Sequence, residues 1–307
     1  MAVLALVACH KNSGTSDEEP QDQPSEQRAL PDMLSLVPNA GIVKEVISSS
    51  ARTVVDGVSE SDFSVTLTSG QRENIYIVTA DLQREELSAM VALSPSVHGI
   101  PAAAWPRSTL TRMAGSIEAG GKKVIAMINA DFWNTSTYIP RGPVHCDGFV
   151  YKSDFQPMGK KQGISFVSCT GNGVMDIDYS SAYTEASLDL PEVTGSGIML
   201  TWDGKQLDNS SWPADDRHPR TAIGYTADGF VVFFVVDGRN EGVSDGMTYD
   251  DMGSIFEAIG CVRSVNLDGG GSTQLLVRDA AGSLKIANKP ADGTERGVVN
   301  AWAIVSD

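Results

Sequence analysis

Three apolar runs that break off abruptly into Asn, Asp or Gly constrain this chain more than any other feature of it. They are VIAMI (124–128) before Asn129-Ala130-Asp131, FVVFFVV (230–236) before Asp237-Gly238-Arg239, and VRSV (262–265) before Asn266-Leu267-Asp268-Gly269-Gly270-Gly271-Ser272. An apolar run without polar alternation, as in VIAMI, reads as a strand buried on both faces. A carboxylate at the end of such a strand stands at a sheet edge, where a rigid scaffold meets solvent and functional groups gather. Asp before Gly is also a common turn pair, and that plainer reading suffices for Asp203-Gly204 and Asp228-Gly229. Three such ends flanked by Asn, Arg and Ser are harder to reduce to turns.

The rest of the pattern adds strands and few helices. Asp62–Thr68 (DFSVTLT) alternates apolar and polar residues, and Asn74–Ala80 (NIYIVTA) is its hairpin partner across Ser69-Gly70-Gln71-Arg72. Thr221–Tyr225 and Phe230–Val236 are joined by Thr226-Ala227-Asp228-Gly229, whose Asp-Gly pair signals a second hairpin. Val91–Leu93, Arg263–Leu267 and Gln274–Arg278 read as further strands. Tyr249–Ile259 is the strongest helix, with Met252, Ile255, Phe256 and Ile259 on one face. Thr248 and Asp251 match a capping box and Gly260 a stop signal. Thr111–Glu118 predicts another helix, weakened by Gly115. Many strands with few helices in mixed order predict an α+β class: one mixed, strand-rich domain with a few helices over 31–307.

The 307 residues carry a formal net charge of −16. An acidic chain without a basic stripe argues against a nucleic-acid partner. One anionic group can still sit in a locally basic pocket. The opening MAVLALVAC is too short to span a bilayer. Leu6-Val7-Ala8-Cys9 resembles the site where an exported bacterial protein is cut and lipidated on cysteine, although the usual basic leader is absent. His10–Arg28 is polar and nearly free of apolar residues, so it cannot repay its ordering entropy. Residues 1–30 are therefore expected to be a signal remnant and disordered tether, holding the protein at the cell envelope through a lipidated Cys9. Of the other cysteines, Cys146 and Cys169 are closest in sequence, but three small buried hydrophobes (Cys146, Cys169 and Cys261) is the plainer expectation.

Ordering three consecutive glycines is costly, because glycine loses the most backbone freedom on folding. Gly269–Gly271 therefore point to a need for bare backbone. A nucleotide phosphate loop would require a Lys before Ser or Thr at fixed spacing, and a dinucleotide turn would require G-x-G-x-x-G; neither occurs here. Consecutive glycines can instead turn several N–H groups toward one anion, or admit a ligand that a Cβ would block. Asp216-Arg217-His218-Pro219-Arg220-Thr221 is basic within an acidic chain. With Arg239 and Arg296, Arg220 offers planar donors for a phosphate or carboxylate. Taken singly, each Arg reads as a surface residue and His218 as a structural histidine.

Asn266–Ser272, His218-Pro219-Arg220-Thr221-Ala222, Asp237-Gly238-Arg239, and Arg296 with Asn300 together resemble the motifs of the phosphodiester glycosidase family. Asn129-Ala130-Asp131-Phe132 resembles that family's Asn-Gly-Gly/Asp-Phe-Phe element, with Ala130 where Gly is usual. The resemblance implies hydrolysis of a sugar 1-phosphodiester to free sugar and a phosphomonoester, on a mixed α/β domain.

The residues suit that chemistry independently. Glycosidic C–O cleavage passes through an oxocarbenium-like state and generally employs two carboxyl groups. Asp268, Asp131 and Asp237 are the candidates, with Asp268 as the principal carboxylate. The other two could equally position water, sugar hydroxyls or a cation. Arg220, Arg239 and Arg296 could stabilise the departing phosphate, and His218 could protonate it or hydrogen-bond to it. Asn129, Asn266, Asn300, Gly269, Gly270, Gly271 and Ser272 complete the expected substrate-binding set. No cofactor or catalytic metal is expected. Asp245, Asp250 and Asp251 leave room for a structural divalent cation, although loop solvation and a favourable helix N-terminus are their plainer roles. Two rival functions share the pocket: a P–O-cleaving phosphodiesterase, and a glycan-binding lipoprotein without turnover. In the latter, Trp105, Trp133, Trp202 and Trp212 could stack on sugar rings.

Overall fold

Phe233 and Phe234 are neighbours in one strand and point to opposite faces of it, yet both are buried. The architecture explains how. In the computed structural model, which describes residues 28–97, 105–212 and 216–307, Phe230–Val236 is an inner strand of an eight-stranded antiparallel sheet. In spatial order that sheet runs Val43–Val55, Val58–Leu67, Arg72–Asp81, Phe230–Val236, Arg220–Thr226, Cys261–Asn266, Met199–Trp202 and Lys205–Gln206. Val231, Phe233 and Val235 face an apolar cluster shared with the other two sheets. Val232, Phe234 and Val236 face the helix Tyr249–Ile259 through Met252 and Phe256. A strand covered on both faces has no position for a polar side chain, which is why FVVFFVV lacks alternation.

The second sheet has five strands, with Lys123–Asn129 between Leu275–Arg278 and Asn300–Ser306. Its outer face is covered by the helix Leu110–Ala119 through Leu110, Met113 and Ala114. A third five-stranded sheet has Glu192–Gly197 at its centre. All three meet in one cluster: Phe233 and Val265 from the first, Ile128 and Trp302 from the second, Val167 and Ile177 from the third. Each such side chain contributes about 1.5–3 kcal/mol by leaving water. The shared cluster therefore fixes the strand ends of one sheet against those of another, and the site forms at that junction.

The two expected hairpins and the capped helix are present, with Gly260 in the left-handed conformation at φ 87°. The strand-rich content with few helices is also present. A division into separate α and β parts is not evident, because each of the two long helices lies against a sheet face. The expected lipidation site at Cys9 and most of the expected tether lie outside the described residues. Arg28, within the expected tether, already packs on the domain: its guanidinium pairs with Asp81 at 2.9 Å and lies 4.5 Å from the Phe230 ring centre. Cys146, Cys169 and Cys261 are free thiols, and burial pushes the first two up to about 12. Asp245, Asp250 and Asp251 do not gather: they accept from Gly242, Asn209 and Thr248 backbone N–H groups respectively. No helix among the described residues is long and apolar enough to cross a membrane.

Candidate active site

The Asn266–Ser272 segment leaves its strand between two sheets and is stitched to both. Leu267 N–H donates to Thr221 O at 2.8 Å, and Asp268 N–H donates to Ala130 O at 2.9 Å. Asn129 completes the stitching: its amide donates to Asp268 O at 2.6 Å and accepts from the Thr221 hydroxyl at 2.7 Å and Gln274 N–H at 3.1 Å. An Asn at this strand end thus ties three chain segments together. Gly270 N–H then donates to Pro219 O at 2.8 Å, which brings the His218–Thr221 segment alongside the glycines.

Each of the three glycines lies against a different arginine or its flanking backbone. A Cβ on Gly269 would stand 2.7 Å from Pro219 O and 3.8 Å from Arg220 Cδ. On Gly270, at φ 64°, it would stand 2.9 Å from an Arg239 terminal nitrogen. On Gly271 it would run into the Arg296 guanidinium. The bare backbone is occupied by guanidinium groups, so the glycines work by letting three cations approach one loop.

The three arginines are not equally free. Arg220 is buried and spends its donors on Met247 O, the Tyr249 hydroxyl and Asp216 O at 3.0, 3.0 and 2.7 Å, while stacking on Tyr249. Arg296 is shared between Asp292, at 2.6 Å, and the Ser272 hydroxyl, at 3.5 Å. Arg239 is exposed, and its guanidinium has no partner among the described residues. Its backbone sits at φ 58°, a left-handed conformation that costs a non-glycine residue about 1–3 kcal/mol. Strain of that kind is retained where the chain must aim a particular side chain.

The three strand-end carboxylates fare differently. Asp268 lines a cleft of about 410 Å³ with Trp133, Arg141 and Arg296. It accepts from the Trp133 indole at 2.8 Å, Gly269 N–H at 3.0 Å and the Ser272 hydroxyl. Burial holds it above the usual carboxylate range despite those donors and the nearby Arg296. Asp131 is buried behind it, accepting from Gly142 N–H at 2.8 Å, with its other oxygen unpartnered. Burial pushes Asp131 up to about 7; the Gly142 bond and Lys152 oppose the shift, and the negative charge of Asp268 adds to it. Asp237 accepts from Asn288, Lys289 N–H and Tyr76 at 3.1, 2.9 and 3.2 Å. It latches the 288–289 segment, which leads to Asp292 and Arg296.

His218 places Nε2 at 3.0 Å from Asp216 Oδ1, and its Nδ1 is buried without a partner. Burial and the Arg220 charge lower its pKa, so the neutral ring prevails at neutral pH. With the proton on Nε2 toward Asp216, Nδ1 presents a lone pair: the neutral ring accepts there and cannot donate to a phosphate from that nitrogen. Burial works to raise Asp216, but Lys161 at 2.5 Å and Arg220 hold it below the usual range.

The loop therefore brings together Asp268, Gly269, Gly270, Gly271, Ser272, Arg220, Arg239, Arg296 and His218. Asn129, Asn266 and Asn300 are buried beneath it. Asn266 donates to Leu267 O at 2.7 Å, and Asn300 accepts from Asp131 N–H at 2.9 Å. Asn129 is thus used by the scaffold, whereas Asn266 Oδ1 and Asn300 Nδ2 are buried without a hydrogen-bond partner among the described residues. Among the expected sugar platforms, Trp105 is buried and donates to Val299 O, Trp202 stacks on Tyr179, and Trp212 lies under Lys161. Trp133 alone of the four touches Asp268, and Arg107 covers its ring at 4.7 Å. Sequence reasoning missed Trp133 as an Asp268 partner, along with Lys161, Asp216 and Asp292. The one signal was adjacency, since Trp133 follows the Asp131 motif and Asp216 begins the basic cluster.

Comparison with known proteins bears on this arrangement. The NAGPA phosphodiester glycosidase family model matches residues 122–305, a span containing every site residue expected from the sequence. The SPbeta prophage-derived uncharacterized protein YomE of Bacillus subtilis is 33% identical over 190 residues, 60% of this chain and 28% of that protein. The chain thus spans under a third of that relative's length. Among solved structures, the zebrafish N-acetylglucosamine-1-phosphodiester alpha-N-acetylglucosaminidase catalytic domain, auto-inhibited by its pro-peptide, superposes with a TM-score of 0.61. It is 18% identical, covering 84% of this chain and 88% of that one. A hypothetical protein from Synechocystis gives 0.57 at 15% identity, covering 85% and 64%. At these identities the structural likeness establishes the fold.

Proposed function

The chain belongs to the phosphodiester glycosidase family, and from that premise we propose that it hydrolyses a sugar 1-phosphodiester to free sugar and a phosphomonoester. The observation that carries this reading is the apposition of Gly269, Gly270 and Gly271 to Arg220, Arg239 and Arg296 beside Asp268. In a chain of net charge −16, such a cluster draws an anion to one place. As the C–O bond at the anomeric carbon breaks, negative charge grows on the departing phosphate oxygen. Arg239, with its free fork, and Arg296 would stabilise that charge. A phosphate is a good leaving group, so the demand for a general acid is small. That agrees with a neutral His218 whose buried nitrogen accepts rather than donates. Asp268 would act on the sugar side, stabilising the oxocarbenium charge or directing water. Because burial holds Asp268 above the usual range, its ionised form is gained at higher pH than for an exposed Asp. Turnover is then expected to rise through that raised pKa.

N-acetylglucosamine 1-phosphodiesters are the first substrates to try, on the name of the zebrafish protein that shares the fold. The test incubates the protein with a panel of sugar 1-phosphodiesters in oxygen-18 water, beside Asp268→Asn. Label in the released sugar, lost in the variant, is the expected result. Label in the phosphate would replace this reading with a phosphodiesterase. A folded protein that binds the panel without product would replace it with glycan binding.

A further inference from the structure

Arg141 lines the Asp268 cleft together with Trp133, Met158, Gln162 and Arg296. Unlike the buried Arg220 and Arg278, this half-buried arginine is barely satisfied. Its Nε is buried without a hydrogen-bond partner. One terminal nitrogen lies 3.5 Å from Gln156 O and the other 3.3 Å from the Met158 sulfur, both weak contacts. By contrast, Arg220 binds three oxygens at 3.0 Å or less, and Arg278 bonds Val124 O at 2.8 Å, Gly282 O at 2.6 Å and Glu118. No carboxylate pairs with Arg141 among the described residues, although acidic groups outnumber basic ones by 39 to 23.

The position of Arg141 is nevertheless built. Its backbone N–H donates to Phe132 O at 2.8 Å, and its carbonyl accepts from Gln156 N–H at 2.6 Å. Its Cβ lies so close to Gly163 that a Cβ there would stand 2.9 Å away, and Gly163 is itself at φ 63°. The next residue, Gly142, holds Asp131. An arginine whose backbone and Cβ are fixed at a cleft, and whose terminal groups are weakly used on the exposed side, is placed to receive an oxyanion through those terminal N–H groups. Arg239 and Arg296 already stand at the glycine loop, which leaves Arg141 available to a second oxyanion in the same cleft.

We propose that the sugar accepted in this cleft carries a second oxyanion, a phosphate ester or a carboxylate away from the anomeric carbon, which binds Arg141. This deepens the phosphodiester glycosidase reading and rests on it for the first phosphate. The substrate class becomes an acidic sugar 1-phosphodiester, such as a repeat within a chain of sugars joined through phosphate.

Calorimetry on the full chain with glucose 1-phosphate, glucose 1,6-bisphosphate and glucuronic acid 1-phosphate tests the proposal without requiring turnover. The wild-type protein should bind at least one of the two ligands with a second anionic group about 10–100-fold more tightly than glucose 1-phosphate, the range for a charge-assisted pair. Which one gains identifies the second group as phosphate or carboxylate. Arg141→Gln should collapse that preference, and Arg141→Lys, which keeps the charge but loses the fork, should leave an intermediate ratio. Equal wild-type affinities for all three ligands overturn the proposal without any variant. So does a fall in Arg141→Gln that is the same for glucose 1-phosphate as for the ligands with a second anionic group, since Arg141 would then serve the first phosphate. If the preference and its loss are found but no phosphodiester is cleaved, the activity reading fails and the second anion site stands. If cleavage is found with no preference, the site falls and the activity stands.

Discussion

Asp268-Gly269 and Asp237-Gly238 end two inner strands of the same eight-stranded sheet, and they have become different things. Each follows an apolar run, and each aspartate accepts several hydrogen bonds. Around Asp237 every donor belongs to the scaffold: Asn288, Lys289 N–H and Tyr76. A Cβ on Gly238 would meet backbone, 2.6 Å from Pro219 N. Around Asp268 the neighbours are Trp133, Ser272 and guanidinium groups, and one side opens into a cleft. The same strand-end motif makes a latch where its partners close over it, and a reactive-looking carboxylate where they leave room. The latch also serves the site, because it anchors the segment that carries Arg296.

The largest expected contrast between the two ends is in turnover. Asp268→Asn should lower kcat by about 10²–10⁴-fold with little change in melting temperature. Comparable loss in Asp237→Asn at unchanged stability would erase the distinction. Arg239→Met should lower kcat by about 10²–10³-fold, the usual effect of removing one donor from a developing oxyanion. Steady-state kinetics on the best phosphodiester measures both variants. At the latch the effect should appear as stability instead. Asp237→Ala strands Tyr76 and Asn288 and should cost about 1–3 kcal/mol per unsatisfied group, read by urea denaturation.

A smaller effect concerns pH. Glu73 lies beside the latch, accepting from Ser244 at 3.1 Å and Gly246 N–H at 2.8 Å, and burial pushes it up to about 8. An acid raised on folding is protonated in the native state and ionised in the unfolded chain over the interval between the two pKa values. Its stabilising contribution is full below about pH 4, the unfolded value, and is lost as pH rises through about 8. Glu73→Gln mimics the neutral acid. Melting curves from pH 5 to 9 should therefore show the wild type falling progressively relative to the variant. Parallel curves would mean that Glu73 is already ionised in the folded protein.

Much of the fold near the site is legible in the chain because it rests on local rules. The helix Tyr249–Ile259 has its cap, apolar face and stop within a dozen contiguous residues, and these agree with one another. The hairpins are legible for the same reason. Val43–Val55 escapes such reading: as an edge strand it is mostly exposed, and VKEVISSSARTVV lacks a clean period. The third sheet escapes too, since Val144–Cys146 and Phe149–Lys152 are too short to show periodicity. The same divide runs through the site. Asp268, its glycines and the arginines could be named from motif and composition. Their separate tasks could not, because Asn129 and Asp237 use the same polar atoms for scaffolding that a ligand would need.

Side-chain chemistry and backbone freedom are carried in the order of residues, so the order settles that a carboxylate, three bare backbone positions and a set of guanidinium groups exist here. Whether those groups meet depends on contacts between separate segments of the chain, such as Arg239 and Arg296 closing on Gly270 and Gly271, or Trp133 reaching Asp268 across 135 residues. So does the division between a carboxylate that faces a cleft and one that holds a loop. Burial and partner geometry set these outcomes, and both arise only when three sheets pack around one core.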